Sequence, residues 1–210
     1  MRAALAFLAA CSMTALNAQT PPVPYSASAI LQALHQLGQT GTVLYVAAHP
    51  DDEDTQLIAY FAQGRGFRTG YLSLNRGEGG QNLIGGEFGD ELGVIRTQEL
   101  LAARGVDGGR QFFSLARDFG YSKDYRDTLK RWDRTEVLID MLRVIRQFRP
   151  DVIITRFPPQ PGGTHGHHTA STVLTLEAFP LAGDPRAFPD RLGGLPPWQP
   201  RRVLWDAYRP

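Results

Sequence analysis

Cysteine is nearly absent from the sequence. Cys11 is the only one among 210 residues, and it lies in an apolar N-terminal segment that we expect to be removed. A domain without cysteine can form no disulfide and has no thiolate for catalysis. Any chemistry of the mature chain must therefore use other side chains.

A marked excess of charge is also lacking. Lysine and arginine number 22 and aspartate and glutamate number 21, so the net charge is +1. Nucleic-acid and membrane-surface proteins are usually recognised by a strong basic excess. The charge balance thus gives no support for a nucleic-acid partner. No transmembrane segment is predicted either, because the apolar N-terminal run is too short to be a stable membrane span.

Residues 1–18 resemble a short secretory signal peptide. Arg2 supplies the positive start, small apolar residues follow, and Ala18 would precede the cleavage site. This predicts a periplasmic or secreted protein, with residues 19–28 as a proline-rich linker. Two alternatives stay open: a lipobox at Leu8 to Cys11, which would anchor the chain through lipid at Cys11, and a wrongly assigned start codon before a cytosolic enzyme.

Residues 29–210 alternate between apolar runs of strand length and helical patterns. This order is typical of an α/β protein, and we predict a Rossmann-like three-layer α/β/α fold with a mainly parallel sheet. Residues 180–200 are rich in proline and glycine and are predicted to be a surface loop. The chain stops just after its last strand, which suggests a C-terminally truncated domain. The predicted strands are 42–48, 69–75, 111–116, 151–157 and 201–208, and the predicted helices are 29–37, 55–62, 91–104, 134–148 and 170–178.

A dense polar cluster, "HPDDED", follows the first strand. If Pro50 begins a helix, Asp51, Asp52 and Glu53 fall in its first turn, where negative charge is favourable. Helix capping would therefore explain the acidic residues. It would not explain His49, because a histidine gains nothing at the positive end of a helix.

A second cluster, "HGHH" at residues 165–168, follows the strand predicted at 151–157. Taken alone it would pass for a polar loop. Ligands of parallel α/β sheets bind beyond the carboxyl ends of the strands, so the two clusters are expected to converge. Two histidines and one aspartate with a position left for water are the pattern of a catalytic zinc site. The sequence therefore predicts a metal centre at this edge of the sheet.

The combination of "AHPDDE" with a late H-x-x-H motif resembles the PIG-L/LmbE-like family of zinc-dependent N-deacetylases. The resemblance continues through "SLNRGEGGQN" at 73–82 and "IRTQELLAARGVDG" at 95–108, and it covers about 42–178. It implies that His49, Asp52 and His168 bind Zn²⁺, although Fe²⁺ can use the same ligands.

The resemblance also implies roles in catalysis. Asp51 would be the general base that takes a proton from zinc-activated water. His165 would stabilise the developing oxyanion or protonate the leaving amine. Arg96 would contact the substrate.

Three further residues complete the predicted site. Arg76 is a candidate contact to sugar hydroxyls, with a surface ion pair to Glu78 as the alternative. Glu53 would hydrogen-bond the backbone or support a metal ligand, and His167 would also support a ligand. Family members often carry an aspartate at the position of His167, where it orients the preceding histidine, and this chain departs from that pattern.

The implied function is hydrolysis of an N-acyl group, with acetyl expected, from an amino sugar or glycoconjugate. The partner would be a small-molecule or glycan substrate, and the sequence does not fix the oligomeric state. Two alternatives are an amidohydrolase acting on a non-sugar amide and an inactive glycan-binding relative. Asp51 argues against the last, because recognition alone needs no general base. The glycine-rich stretch at 75–82 lacks the spacing of nucleotide-binding loops.

Overall fold

A five-stranded parallel sheet forms the centre of the molecule, in a computed structural model that describes residues 26–80 and 82–207. The strand order is β3-β2-β1-β4-β5, and every neighbouring pair is parallel. The predicted fold class is confirmed. The strands are β1 Thr42–Ala47, β2 Arg68–Ser73, β3 Arg110–Phe113, β4 Val152–Thr155 and β5 Arg202–Trp205.

Helices cover both faces of this sheet. They are α1 Ala27–Leu37, α2 Thr55–Ala59 with a π-helical turn at Tyr60–Gly64, α3 Asp90–Asp107, α4 Tyr125–Arg131, α5 Arg134–Phe148 and α6 Gly166–Gly183. The short helix α4 was not predicted, because its sequence, YRDTLKR, carries only one aliphatic residue and so shows little helical periodicity.

Strand β1 lies at the middle of the sheet and is buried along its whole length. Its side chains alternate between two cores, as the pleat of a strand requires. Leu44 and Val46 pack in the larger core with α5 and α6. Val43 and Tyr45 pack in the smaller core on the opposite face, which includes residues of α2 and α3. The sheet is thus the middle layer of three, which explains why β1 reads as an uninterrupted apolar run.

Helix α2 begins at Thr55, as predicted, and no helix begins at Pro50. Asp54 is the N-cap of α2, and its side chain accepts a hydrogen bond from the backbone N–H of Leu57 at 2.9 Å. Residues 50–53 instead form a turn and bend between β1 and α2. The capping residue is therefore Asp54, and helix capping does not explain Asp51, Asp52 and Glu53.

The segment predicted as a surface loop at 180–200 is partly helical and partly packed. Helix α6 continues through Pro180 to Gly183, and Leu192 is buried in the larger core. The buried guanidinium of Arg146 donates hydrogen bonds to the carbonyls of Leu181, Ala182 and Asp184. These bonds satisfy carbonyls at the end of α6 and tie the segment to α5.

The predicted signal peptide at 1–18, with Cys11, lies outside the described residues, as does most of the linker. Helix α1 begins at Ala27, two residues before the predicted domain boundary, and its apolar face remains exposed at Ile30, Leu31 and Leu34. None of the helices that the structure describes is long and apolar enough to cross a membrane.

Candidate metal and active site

The two predicted clusters meet because β1 and β4 are neighbours in the sheet. His49 follows the end of β1, and the loop after β4 leads into α6, which begins directly after His165. The side chain of His165 is the N-cap of α6, where its Nδ1 accepts the backbone N–H of His167 at 3.0 Å. The first turn of α6 then brings His167 and His168 to the turn that carries Asp52.

Asp52 lies at the centre of the cluster. Its Oδ2 accepts hydrogen bonds from the backbone N–H groups of Ala48, at 3.2 Å, and His49, at 2.7 Å. The same oxygen is 3.0 Å from Nδ1 of His49, and Oδ1 is 3.3 Å from Nε2 of His168. Burial alone would raise the pKa of Asp52, but the hydrogen bonds with His168 and His49 outweigh it and hold the pKa well below its usual value. The group is therefore an ionised carboxylate between two imidazoles.

The residues predicted as metal ligands fit a divalent cation. His49, Asp52 and His168 each offer one ligand atom, and these atoms all lie within 4.8 Å of one another. Two ligands on one tetrahedral zinc, each at about 2.0–2.1 Å, would be about 3.3 Å apart, close to the separation of Asp52 and His168. A second group, His49, His165 and His167, meets the same distance criterion and shares His49 with the first.

The ring of His168 is held from two sides. The hydroxyl of Thr164 lies 2.6 Å from Nδ1 of His168, and the ring of Phe157 stacks on the imidazole with centroids 3.8 Å apart. These contacts direct Nε2 toward Asp52. Metal-binding histidines commonly have such a partner on the nitrogen that does not bind the metal.

The remaining two histidines of the cluster, at the N-cap and in the first turn of α6, are neutral. Burial, followed by the nearby His49, lowers the pKa of His165 to about 4 and that of His167 to about 2. A protonated His165 is therefore not favoured near pH 7 before substrate binds. Tyr121 lies edge-on to His165 with ring centroids 5.0 Å apart.

A cavity of about 540 Å³ opens above these residues. Asp51 lies at its edge with an exposed side chain, and Nη2 of Arg96 is 3.3 Å from its Oδ2. Arg96 itself is largely buried and also contacts Glu99 at 3.2 Å. The structure thus brings Asp51, Arg96 and His165 to one cavity with the three predicted metal ligands.

Arg76 does not line this cavity. Its guanidinium donates to Oγ1 of Thr97 at 2.9 Å and lies 4.0 Å from the centroid of Phe113. It faces a separate cavity of about 330 Å³. Glu78 does not form the expected surface ion pair, because it is buried and its Oε2 accepts the backbone N–H groups of Arg76 and Asp118.

Of the two roles predicted for Glu53, the hydrogen bond with the backbone is present. Its carboxylate is 3.2 Å from Nη2 of Arg104 on α3, rather than beside a histidine of the cluster. Both side chains are almost fully buried. Glu53 therefore anchors the turn of Asp51 and Asp52 to α3, and any effect on a metal would act through that turn.

The sequence analysis missed Asp118 and Tyr121, which also line the larger cavity. Both follow β3, at the same edge of the sheet as the histidines, and this position is the signal that would have found them. Asp118 is mostly buried, and burial raises its pKa despite a hydrogen bond from the backbone N–H of Gly120.

The glycine-rich stretch shapes the floor of this cavity. A Cβ on Gly79 would lie 2.5 Å from the backbone nitrogen of Gly120 and 2.8 Å from the carbonyl oxygen of Asp118. The loops after β2 and β3 can approach this closely only because Gly79 has no side chain. The glycines thus serve loop packing at the site.

The fold and site define an α/β protein with a His/Asp cluster at the carboxyl edge of its sheet. The chain belongs to the PIG-L family: the family model "PIG-L: GlcNAc-PI de-N-acetylase" matches residues 44–179. This confirms the resemblance seen in the sequence.

Curated relatives include two proteins named 1D-myo-inositol 2-acetamido-2-deoxy-alpha-D-glucopyranoside deacetylase. The protein of Geodermatophilus obscurus is 30% identical over 180 residues, covering 78% of this chain and 60% of the relative. That of Kineococcus radiotolerans is 32% identical over 204 residues, covering 82% of this chain and 54% of the relative. The chain therefore spans less than two thirds of the length of these relatives.

Solved structures show the same fold. N,N'-diacetylchitobiose deacetylase from Pyrococcus horikoshii aligns with a TM-score of 0.63 at 19% identity, covering 90% of this chain and 73% of that one. The 4-carboxy-2-hydroxymuconate hydratase GalB from Pseudomonas putida aligns with a TM-score of 0.59 at 20% identity, covering 78% and 64%. At these identities the likeness supports the fold alone, since one fold hosts several chemistries.

Proposed function

We propose that the protein is a metal-dependent deacetylase that hydrolyses the N-acetyl group of an amino sugar. The observation that carries the proposal is the convergence of His49, Asp52 and His168, with ligand atoms within 4.8 Å, at a cavity that Asp51 and Arg96 also line. Membership of the PIG-L family and the names of the curated relatives support the choice of reaction.

His49, Asp52 and His168 would hold the metal, with Zn²⁺ as the first choice and Fe²⁺ as the alternative. A divalent cation bound there supplies Lewis acidity toward the amide carbonyl and lowers the pKa of a water molecule. The ionised Asp52 offsets part of the positive charge.

Asp51 is proposed as the general base. Its carboxylate is exposed to the cavity, whereas that of Asp52 is held between two imidazoles and two backbone N–H groups. Of these two carboxylates, Asp51 is therefore the one free to accept a proton from the attacking water. The ion pair with Arg96 fixes the carboxylate at the cavity edge, which restricts its geometry for proton transfer.

His165 is proposed to donate a hydrogen bond to the developing oxyanion. Its Nδ1 accepts the backbone N–H of His167, so in the neutral ring the proton is on Nε2. That nitrogen is the one available to a substrate in the cavity. The neutral ring can stabilise the oxyanion as a hydrogen-bond donor, without a cationic charge.

The proposed substrate is an N-acetylglucosamine conjugate of mono- or disaccharide size. A cavity of about 540 Å³ lies within the usual range for small-molecule sites, and its carboxylates, imidazoles and guanidinium suit hydroxyl groups. The apolar segment at 1–18 supports a periplasmic or secreted location as part of this proposal.

The test begins with the metal content of the purified chain and with the release of acetate from N-acetylglucosamine conjugates and from non-sugar acetamides. We expect about one metal per chain and release from the sugars, both lost after chelation and restored by Zn²⁺ or Fe²⁺. Bound metal with release only from non-sugar amides would contradict the substrate, and release that persists without metal would contradict the mechanism.

A further inference from the structure

His167 differs from the other histidines of the cluster in its environment. Its side chain is fully buried, with the rings of Phe119 and Trp132 at centroid distances of 4.4 and 4.8 Å. The ring of His165 is also 4.4 Å away, but among the described residues the side chain of His167 is hydrogen-bonded to His49 alone, whose Nε2 lies 2.9 Å from Nδ1 of His167. Asp118 is 3.7 Å from the same nitrogen, beyond hydrogen-bond length.

The proton positions in this pair follow from the metal site. Nδ1 of His49 faces Asp52 at 3.0 Å and is the nitrogen available to a metal, so it must carry no proton. The proton of a neutral His49 is then on Nε2, which faces His167. Nδ1 of His167 must therefore be the acceptor, and the proton of His167 is on Nε2.

Stability alone does not account for a histidine at this position. Nε2 of His167 is buried and has no hydrogen-bond partner among the described residues. An unpaired buried N–H group is destabilising, so an apolar residue of similar size would suit these aromatic surroundings better. Unlike an apolar residue, histidine provides a hydrogen-bond acceptor at Nδ1.

We propose that His167 is a positioning residue that fixes the tautomer and orientation of His49 for metal binding, an inference that rests on the metal site of the proposed function. The backbone of His49 is already held, because its N–H donates to Asp52 and its carbonyl accepts from Tyr71. The imidazole ring faces Asp52 on its Nδ1 side, and the bond to His167 holds its opposite side at Nε2. A neutral acceptor here replaces the carboxylate or carbonyl that usually supports a metal-binding histidine.

The alternative is that His167 itself binds a metal together with His49 and His165. Burial argues against it, because His167 is fully buried and does not line the cavity, whereas His49, Asp52 and His168 do. The separation of 2.9 Å between the two ring nitrogens is the usual length of a hydrogen bond between such groups.

The test measures the dissociation constant for Zn²⁺ by competition with a chromogenic chelator in the full chain. His167→Asn keeps an acceptor near the position of Nδ1, and we expect its affinity to stay within about threefold of the wild type. His167→Leu removes the acceptor and should weaken binding by about 10- to 100-fold. Phe119→Leu is the matched control, because it changes the packing around His167 without touching the hydrogen bond.

A second measurement needs no variant. In the zinc-loaded wild type with ¹⁵N-labelled histidine, NMR should show a proton on Nε2 of His49 and neither a proton nor zinc on Nδ1 of His167. The proposal would be overturned if the wild type and the Leu variant bound Zn²⁺ equally well, or if the Asn and Leu variants bound it equally weakly. It would also be overturned if zinc were bound to Nδ1 of His167. Zinc binding that follows the expected order in a protein without deacetylase activity would support it and refute only the proposed function.

Discussion

Replacing Arg104 by methionine should destabilise the protein strongly. The side chains of Arg104, Glu53 and Asp107 are only 4%, 5% and 6% exposed, so the two carboxylates would lose their cation in a site that water does not reach. Breaking a buried ion pair from one side costs about 3–5 kcal/mol, because the remaining charge is left uncompensated. Methionine keeps most of the length and apolar character of the arginine stem, so packing losses are small.

The magnitude can be checked in two ways. For a chain of 210 residues, 1 kcal/mol corresponds to about 2–4 °C in the unfolding temperature, so Arg104→Met should lower it by roughly 6–20 °C. Urea unfolding should show a similar loss of free energy without a large change in slope. The Zn²⁺ affinity should also fall, because Glu53 anchors the turn that carries Asp52.

The matched control is Arg117→Met. Arg117 pairs with Asp90, but their side chains are 63% and 83% exposed. Exposed ion pairs contribute about 0–1 kcal/mol, so this variant should unfold close to the wild type. A loss below about 1 kcal/mol for Arg104→Met, or equal losses for the two variants, would refute the reasoning that burial sets the cost.

Three further predictions concern the cavity. Asp51→Asn should keep the metal content of the wild type and lower turnover by about 10²- to 10⁴-fold, and a variant with full turnover would remove Asp51 as the base. Gly79→Ala should cost about 1–3 kcal/mol in urea unfolding because its Cβ would meet backbone atoms, whereas Gly86→Ala, with open space around it, should not; equal effects would contradict the packing argument. In the metal-free protein, the lowered pKa of His165 makes stability depend on pH. Its contribution to stability is fully present above pH 6.5, the pKa in the unfolded chain, and is lost as the pH falls toward about 4. His165→Asn should therefore make the unfolding midpoint less sensitive between pH 6.5 and 4, and an unchanged or steeper dependence would count against the shift.

Local patterns were enough to predict the strands and the edge of the sheet at which the polar clusters meet. The reason is that a central strand such as β1 has few alternatives once both its faces are apolar. His49 and His168 converge because strand ends in a parallel sheet share one edge. That argument needs only the direction of the strands, which the alternation with helices indicates.

Local patterns did not give the direction of side chains that depends on tertiary packing. Arg76 was a candidate contact to sugar hydroxyls, and it donates a hydrogen bond to Thr97 on α3 and lines a separate cavity. Glu53 pairs with Arg104, which lies about fifty residues further along the chain. Asp118 was missed because β3 is short and its loop carries no histidine to draw attention to it. None of these contacts can be predicted from the local spacing of apolar and polar residues.

The neighbouring placement of β1 and β4 has a consequence for folding. His168 lies more than a hundred positions after His49 and Asp52. All three proposed ligands can therefore bind the ion only after both strands and α6 have assembled. Such an ion cannot guide the early collapse of the chain, but once bound it links distant segments of the folded chain. At a free concentration a hundred times its dissociation constant, it would add about 2.7 kcal/mol to the resistance of the whole domain to unfolding.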